Sequence, residues 1–477
     1  MDKGDLCYTS ASEMAGLIRR REISPVELMQ VILTRIENIQ PRINAFATVC
    51  GEEALKDARD AEARIMRGNS VGPLHGIPFS VKDNLWTKGM RTTFGSYIFE
   101  NYVPDEDAPC VERLKEAGGI LIGKTTLPEL FAKVLTDSPL LGVTRNPWKF
   151  DRTPGGSSGG AGAAVAAGLG PLAAGADGGG SNRIPASCTG IVGLKPTFGL
   201  VPYPQAPDLF GNLSTIGPMT RSVSDAALML YVMAGPDARD PSSYCTSKEH
   251  YQSFLTAKVA ESLKGCKIAW SPTLGNTEVD REVLQLTEAA VKIFANFGCE
   301  LEETCPNFDS VEIPYITIFY SGLACRFGEY VEVFREKMDP SILYSIEKGS
   351  QYRAMDLQKA IYMRTKLFQT IQRFFKKFDL LITPTLSAPA LPVNQNALEP
   401  VWINGKMAGS LRGAWNPYTY PFNMAGNPAI SIPCGFTSEN LPVGLQIVGP
   451  WFGEKLIFQA AAAFEWAKPW AGQRPPL

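Results

Sequence analysis

TPGGSSGGAGAAVAAGLGPLAAGADGGGSNRIPASCTGIVG, residues 153–193, is the most unusual part of the chain and says most about its architecture. Glycine and alanine dominate it, so backbone segments can approach one another closely. It reads as a loop, a helix over 160–167 and a strand over 172–176, followed by a second glycine-rich loop that ends in Ser181. Upstream, Ile77-Pro78-Phe79-Ser80-Val81 is a short apolar strand delivering Lys82, residues 107–117 suit a helix, and residues 119–123 suit a buried strand. Short buried strands alternating with helices indicate an α/β fold with a large mixed, mostly parallel twisted sheet and helices on both faces.

Further outward, residues 1–70 look helical. Ser10 to Glu13 has capping-box spacing, and Ser24-Pro25-Val26-Glu27 opens an amphipathic helix expected to end near Pro41. A charged helix follows over 52–67. After residue 225 comes a helix to about 234, and residues 236–378 are richer in helix and charge, with helices at 281–297 and 353–375. Strands are expected at 267–270, 380–384, 429–433 and 444–448, and a closing helix at 455–467. Without repeats or low-complexity segments, residues 1–477 are expected to form one domain. Its parts are N-terminal helices (1–70), a catalytic core (71–235), a variable helical region (236–378) and C-terminal core strands with a helix (379–477).

The composition excludes several function classes. Lys+Arg count 46 and Asp+Glu 48, a net charge of −2, so no global positive field attracts nucleic acid or an anionic membrane. The basic run Arg19-Arg20-Arg21 reads as a solvated helix end. The ten cysteines are scattered with no C-x-x-C pair, which argues against structural zinc and for reduced thiols in the cytoplasm. The charged start, Met1 to Asp5, lacks an apolar signal segment, and the apolar run at 161–176 is too short to span a bilayer.

Several catalytic patterns compete. Only His75 and His250 exist, which leaves little for a Ser-His-Asp triad. His75 sits in an expected turn and His250 in a polar stretch. Gly156-Ser157-Ser158-Gly159-Gly160 matches a nucleophile elbow with Ser158 as nucleophile, but that reading needs a later histidine, and His250 alone follows. Residues 118–125, GGILIGKT, match a phosphate-loop pattern, yet the apolar interior suits a strand, with Lys124 at its end. Asp177-Gly178-Gly179-Gly180-Ser181 places a serine after three glycines, a loop able to aim several N–H groups at one point as an oxyanion hole requires. Alone it reads equally well as a structural turn.

Taken together these segments resemble the amidase-signature family. The resemblance runs through Gly76-Ile77-Pro78-Phe79-Ser80-Val81-Lys82-Asp83-Asn84, Pro154-Gly155-Gly156-Ser157-Ser158-Gly159-Gly160, Gly178-Gly179-Gly180-Ser181-Asn182-Arg183-Ile184-Pro185-Ala186 and Gly190-Ile191-Val192-Gly193-Leu194-Lys195-Pro196-Thr197. Ser157 and Ser181 are 24 positions apart (181 − 157), as in the family. Flanking pieces such as Gly217-Pro218-Met219 and Pro442-Val443-Gly444-Leu445-Gln446 extend it from about Ser10 to Ala467, most weakly over 236–378.

The resemblance implies that Ser181 is the nucleophile, that Ser157 relays its proton, commonly from a cis peptide, and that Lys82 is the final base. Lysine serves as a base only when neutral, so its pKa must fall well below about 10.4, which burial achieves. The loop amides of Gly178, Gly179, Gly180 and Ser181 would form the oxyanion hole, with Ser158, Asp177 and Arg183 as a supporting network and Arg183 as a structural partner for a carboxylate. No metal or organic cofactor is implied. Ala176, Asn182, Thr126, Leu130-Phe131-Ala132-Lys133 and Thr136-Asp137-Ser138 depart from the commonest family pattern and leave the substrate open, the 130s being expected near the pocket. A loop over 202–210 is expected at its mouth.

The implied activity is hydrolysis of small carboxamides, with aryl amides, esters and carbamates (urethanes) in the same chemical class. The alternative is the glutaminase component of a tRNA-dependent amidotransferase, working with partner chains. An esterase using Ser158 and an inert scaffold are more remote. Expected partners are the small-molecule substrate and, as an open possibility, a second copy in a homodimer, with neither nucleic acid nor membrane.

Overall fold

The computed structural model describes residues 3–244, 251–256, 258–276 and 278–477. Its organising element is one eleven-stranded sheet. From edge to edge the strands are Phe46–Val49, Ile120–Thr125, Pro78–Lys82, Leu172–Asp177, Thr215–Thr220, Val192–Lys195, Ala429–Phe436, Pro442–Val448, Leu380–Pro384, Lys267–Trp270 and Glu300–Glu303. The central strands are buried along their whole length, which is why they read as apolar or small-residue runs without alternation.

The sheet is mixed as expected, but parallel pairing is the minority. Pro78–Lys82 runs parallel to both neighbours, and Lys267–Trp270 to both of its own. The other six pairings are antiparallel. The expectation of a mostly parallel sheet is therefore corrected, for two reasons. Thr215–Thr220 inserts antiparallel between Leu172–Asp177 and Val192–Lys195, with Pro218 opposite Ala174 in the sheet interior. A proline in a central strand is a signal against a strand. The C-terminal strands Ala429–Phe436 and Pro442–Val448 also pair directly with each other as an antiparallel hairpin.

Local chemistry sets most element ends. Ser24 accepts from the amides of Val26 (3.0 Å) and Glu27 (3.2 Å), with Pro25 in the first turn, so a helix starts there. That helix runs to Ile43, past Pro41, because proline in the last turn forfeits one bond while Ile32, Ile36, Ile39 and Ile43 continue the buried face. Each such side chain contributes about 1.5–3 kcal/mol on burial. Asn44, at φ 50°, closes the helix in the left-handed conformation.

The helix Gly159–Ala166 is buried on every side. It can sit there because its faces are glycine and alanine: a Cβ on Gly160 would collide with Thr126 and the Ala45 carbonyl. The region 236–378 holds helices Arg281–Ala295, Glu312–Phe327, Pro340–Gly349 and Ala354–Phe374, but it also contributes the two far strands of the sheet. Among the described residues, no helix is long and apolar enough to cross a membrane.

Candidate active site

Pro78–Lys82 and Leu172–Asp177 are parallel neighbours, so both end at the same edge of the sheet, and their last residues, Lys82 and Asp177, come close together. The two glycine-rich loops meet over that edge. One leads into helix Gly159–Ala166 and carries Ser157. The other joins Asp177 to helix Arg183–Thr189 and carries Ser181. The Ser158 amide donates to the Ser181 carbonyl oxygen at 3.2 Å and ties the loops to each other.

Lys82, Ser157 and Ser181 line one narrow cavity of about 50 Å³. Lys82 is 1% exposed, and its Nζ donates to Ser157 Oγ at 2.7 Å and lies 3.4 Å from the Ala176 carbonyl oxygen. Burial lowers its pKa to about 7, against an opposing pull from the Asp177 carboxylate. Ser157 follows a cis peptide from Gly156 and is buried, while Ser181 is partly exposed to the cavity.

Two other lysines are equally buried, so a depressed pKa does not single out a base. Lys195, also lowered to about 7 by burial, donates to its neighbour's Pro196 carbonyl. Lys124, lowered to about 8 by burial, donates to the Thr87 and Thr92 hydroxyls and the Leu85 carbonyl. It lies within strand Ile120–Thr125, which removes the phosphate-loop reading. Lys82 alone among these three lines the cavity beside serine hydroxyls.

The network beneath Ser181 is built on Asp177. Arg183 binds it through two N–H groups, Nε to Oδ2 and Nη2 to Oδ1, both at 3.0 Å, and both residues are fully buried. Asn423 Nδ2 donates to Oδ1 at 2.9 Å, and the amides of Gly180 and Asn182 donate at 2.7 and 3.2 Å. Burial opposes ionisation, but the Arg183 charge and these hydrogen bonds outweigh it and hold the carboxyl well below its usual range. Arg183 is fixed further by Gln446, Asn423 and the Thr419 carbonyl. Asp177→Asn is expected to lower stability by about 3–5 kcal/mol, because it strands a buried guanidinium. A urea midpoint within error of the parent chain would contradict this.

The expected oxyanion loop needs one correction. The Gly180 N–H is taken by Asp177, so it drops out of the donor set. The Gly178 carbonyl accepts from the Tyr315 hydroxyl at 3.2 Å, and the Gly179 carbonyl from Thr419 Oγ1 at 2.8 Å. With those carbonyls held, the N–H groups of Gly178, Gly179 and Ser181 have no acceptor among the described residues. A Cβ at Gly179 would run into the Tyr315 hydroxyl, and Gly180 sits at φ +117°, so the loop requires glycine at both positions.

Ser158 is fully buried, with Oγ 3.3 Å from the Ala176 carbonyl and 3.1 Å from Asn182 Oδ1. No strand leads directly into it, so the nucleophile-elbow reading lacks its strand–turn–helix context. His75 is buried against the Ala61 carbonyl, away from the cavity, and His250 lies outside the described residues.

Phe131, Lys133 and Val134 line the cavity, as does Tyr203 from the 202–210 segment. Tyr315, Phe319 and Arg412 complete the wall. Tyr315, Thr419 and Asn423 carry no sequence signal of their own, since they lie 137 to 246 positions from the loop segment they bond to. Among the described residues, no group of three His, Cys, Asp or Glu side chains is placed to hold a metal ion.

A family model described as Amidase matches residues 27–458. The chain is 38% identical to an acylamidase of Rhodococcus erythropolis, over 100% of this chain and 98% of that protein. It is 37% identical to the A-type component of the glutamyl-tRNA(Gln) amidotransferase of Carboxydothermus hydrogenoformans, over 99% of this chain and 100% of that one. Among solved structures, a bacterial aryl acylamidase of the amidase signature enzymes superposes with a TM-score of 0.90 at 30% identity, covering 98% of this chain and 99% of that chain. A 6-aminohexanoate cyclic dimer hydrolase superposes with a TM-score of 0.88 at 29% identity and the same coverage.

Proposed function

The chain belongs to the amidase signature family, and from that premise we propose that it is a stand-alone serine hydrolase of small carboxamides, acting through an acyl-enzyme on Ser181. The observation that carries this reading is the 2.7 Å contact of a buried, readily deprotonated Lys82 with Ser157, in one cavity with Ser181. A serine hydroxyl is a weak nucleophile until a neighbour takes its proton. Neutral Lys82 takes the Ser157 proton as Ser157 takes that of Ser181, whose Oγ attacks the carbonyl carbon. The N–H groups of Gly178, Gly179 and Ser181 are free to receive the oxyanion. Collapse expels the amine with the relayed proton, and water cleaves the acyl-enzyme by the same relay in reverse.

The aromatic rings of Phe131, Tyr203, Tyr315 and Phe319 around the cavity favour flat, apolar groups beside the scissile bond. Anilides are therefore the first substrates to try, with aryl esters and aryl carbamates presenting the same carbonyl. A sulfonyl fluoride is expected to modify the folded chain at Ser181, read by peptide mass mapping. Label on another residue, or none while the chain is folded, would count against the acyl-enzyme.

A second reading is favoured by the full-length similarity to amidotransferase components: a glutaminase that works with partner chains. Purified chain that hydrolyses anilides without partners, and does not support glutamine-dependent amidation, separates the first reading from the second.

A further inference from the structure

The site cavity does not end at its wall. Lys133, Val134 and Arg412 line it and also line a second cavity of about 90 Å³, which runs past Ser341 and Ser345 to the half-exposed Leu398. The two spaces thus share a three-residue partition. A substrate whose reacting carbonyl sits at Ser181 occupies the same cavity that this partition lines.

The two cations of the partition differ in one respect. Lys133 is ion-paired twice, with Asp137 at 2.7 Å and Asp339 at 2.6 Å, and these carboxylates hold it protonated despite its burial. Arg412 has no ion pair among the described residues. Its Nη2 donates to the Ala132 carbonyl at 2.7 Å, and its guanidinium lies over Phe319 at 4.9 Å and Tyr315 at 5.7 Å. Glu312, on the helix that carries both rings, accepts from Ser410 and does not pair with Arg412. No Asp or Glu lines the site cavity. Arg412 is therefore a held, charged fork with N–H groups to spare, on the boundary of the substrate space. A guanidinium in that state matches a carboxylate through two parallel hydrogen bonds.

We propose that Arg412 is a specificity-determining residue that receives a carboxylate at the end of the substrate remote from the scissile bond, so that the preferred substrates are amides bearing an acidic group. This rests on the hydrolase reading above for the placement of the scissile bond at Ser181. Lys133, its charge already met, does not serve this role.

The test compares three small anilides: neutral valeranilide, glutaranilate with a carboxylate on the acyl end, and 4-(pentanoylamino)benzoate with one on the amine end. Dissociation constants are measured by calorimetry on the Ser181→Ala chain, where no turnover intervenes. One of the two carboxylates is expected to bind about tenfold or more tighter than valeranilide. Arg412→Gln in that background is expected to bring the ratio to about one, and Arg412→Lys, which keeps the charge without the fork, to leave it in between. Because the readout is a ratio, a general loss of folded protein does not imitate it. Carboxylates that bind no tighter than valeranilide, or a preference that survives Arg412→Gln, overturn the assignment. Turnover of all three anilides by the unmutated chain is scored separately: hydrolysis of none of them, alongside an Arg412-dependent carboxylate preference, sinks the hydrolase reading and leaves the carboxylate site standing.

Discussion

Ser181→Ala is expected to lower anilide turnover by roughly 10⁴–10⁶-fold, the scale on which removing a serine nucleophile acts. The change deletes a partly exposed hydroxyl and leaves the Asp177–Arg183 network untouched, so the circular dichroism spectrum and thermal midpoint should match the parent. The loss should appear in kcat, with a smaller change in KM, because binding through the cavity walls persists. No other serine offers a ready substitute. Ser157 is engaged by Lys82, and Ser158 is fully buried with its hydroxyl beside Ala176 and Asn182. Residual activity above about one per cent of the parent, with contamination ruled out by active-site titration, would move the nucleophile elsewhere.

Lys82→Met should act on rate and stability in opposite directions. Removing a general base lowers the rate by roughly 10²–10⁴-fold. In the parent chain kcat/KM should fall about tenfold per pH unit below about 7, where Lys82 takes up its proton, and level off above it. A profile flat from pH 5.5 to 9 would rule out a lysine base of this kind.

The stability effect follows from the same burial. The unfolded chain holds this proton up to pH 10.5, while the folded chain releases it near pH 7. Between those values the unfolded state binds more protons, so stability rises with pH across that window. At and below pH 7 the penalty is complete, and a shift from 10.5 to about 7 corresponds to roughly 5 kcal/mol. Methionine removes that penalty and gives up one hydrogen bond, worth about 1 kcal/mol, so a gain of about 4 kcal/mol is expected near pH 7. The gain should shrink as pH climbs toward 10.5. Urea midpoints at pH 7 and 10 read this directly, and a variant less stable than its parent at pH 7 would show that burial does not penalise the Lys82 ammonium.

Residues close in sequence were legible from the chain alone. Strands at Lys267–Trp270 and Leu380–Pro384 stand at the positions their apolar runs indicate, because hydrophobic patterning and flanking breakers act over a few residues. Helix starts at Ser24 and Ser10 follow from side chains that cap amides two or three positions on. The misreadings came where tertiary contacts overrode local signals. A mostly parallel sheet is expected from the sequence, with no strand read at Thr215–Thr220, but this segment enters the sheet centre antiparallel to both neighbours despite Pro218, since burial of neighbouring apolar faces outweighs one lost hydrogen bond.

The order of residues along the chain settled which groups are present to react: three serines in glycine loops (Ser157, Ser158 and Ser181), a lysine after an apolar strand, and too little histidine for the usual triad. Only the tertiary structure decided which lysine meets a serine, since Lys82, Lys124 and Lys195 all end up buried, and the parallel pairing of Pro78–Lys82 with Leu172–Asp177 brings Lys82 to Ser157. It also decided that Gly180 serves Asp177, that Thr419 and Asn423 bond to the loop and to Asp177, and that Tyr315 and Arg412 line the cavity. The reason is physical: local propensity acts over a turn or a strand, whereas a proton path is set by side-chain distances that only chain crossings between remote segments fix.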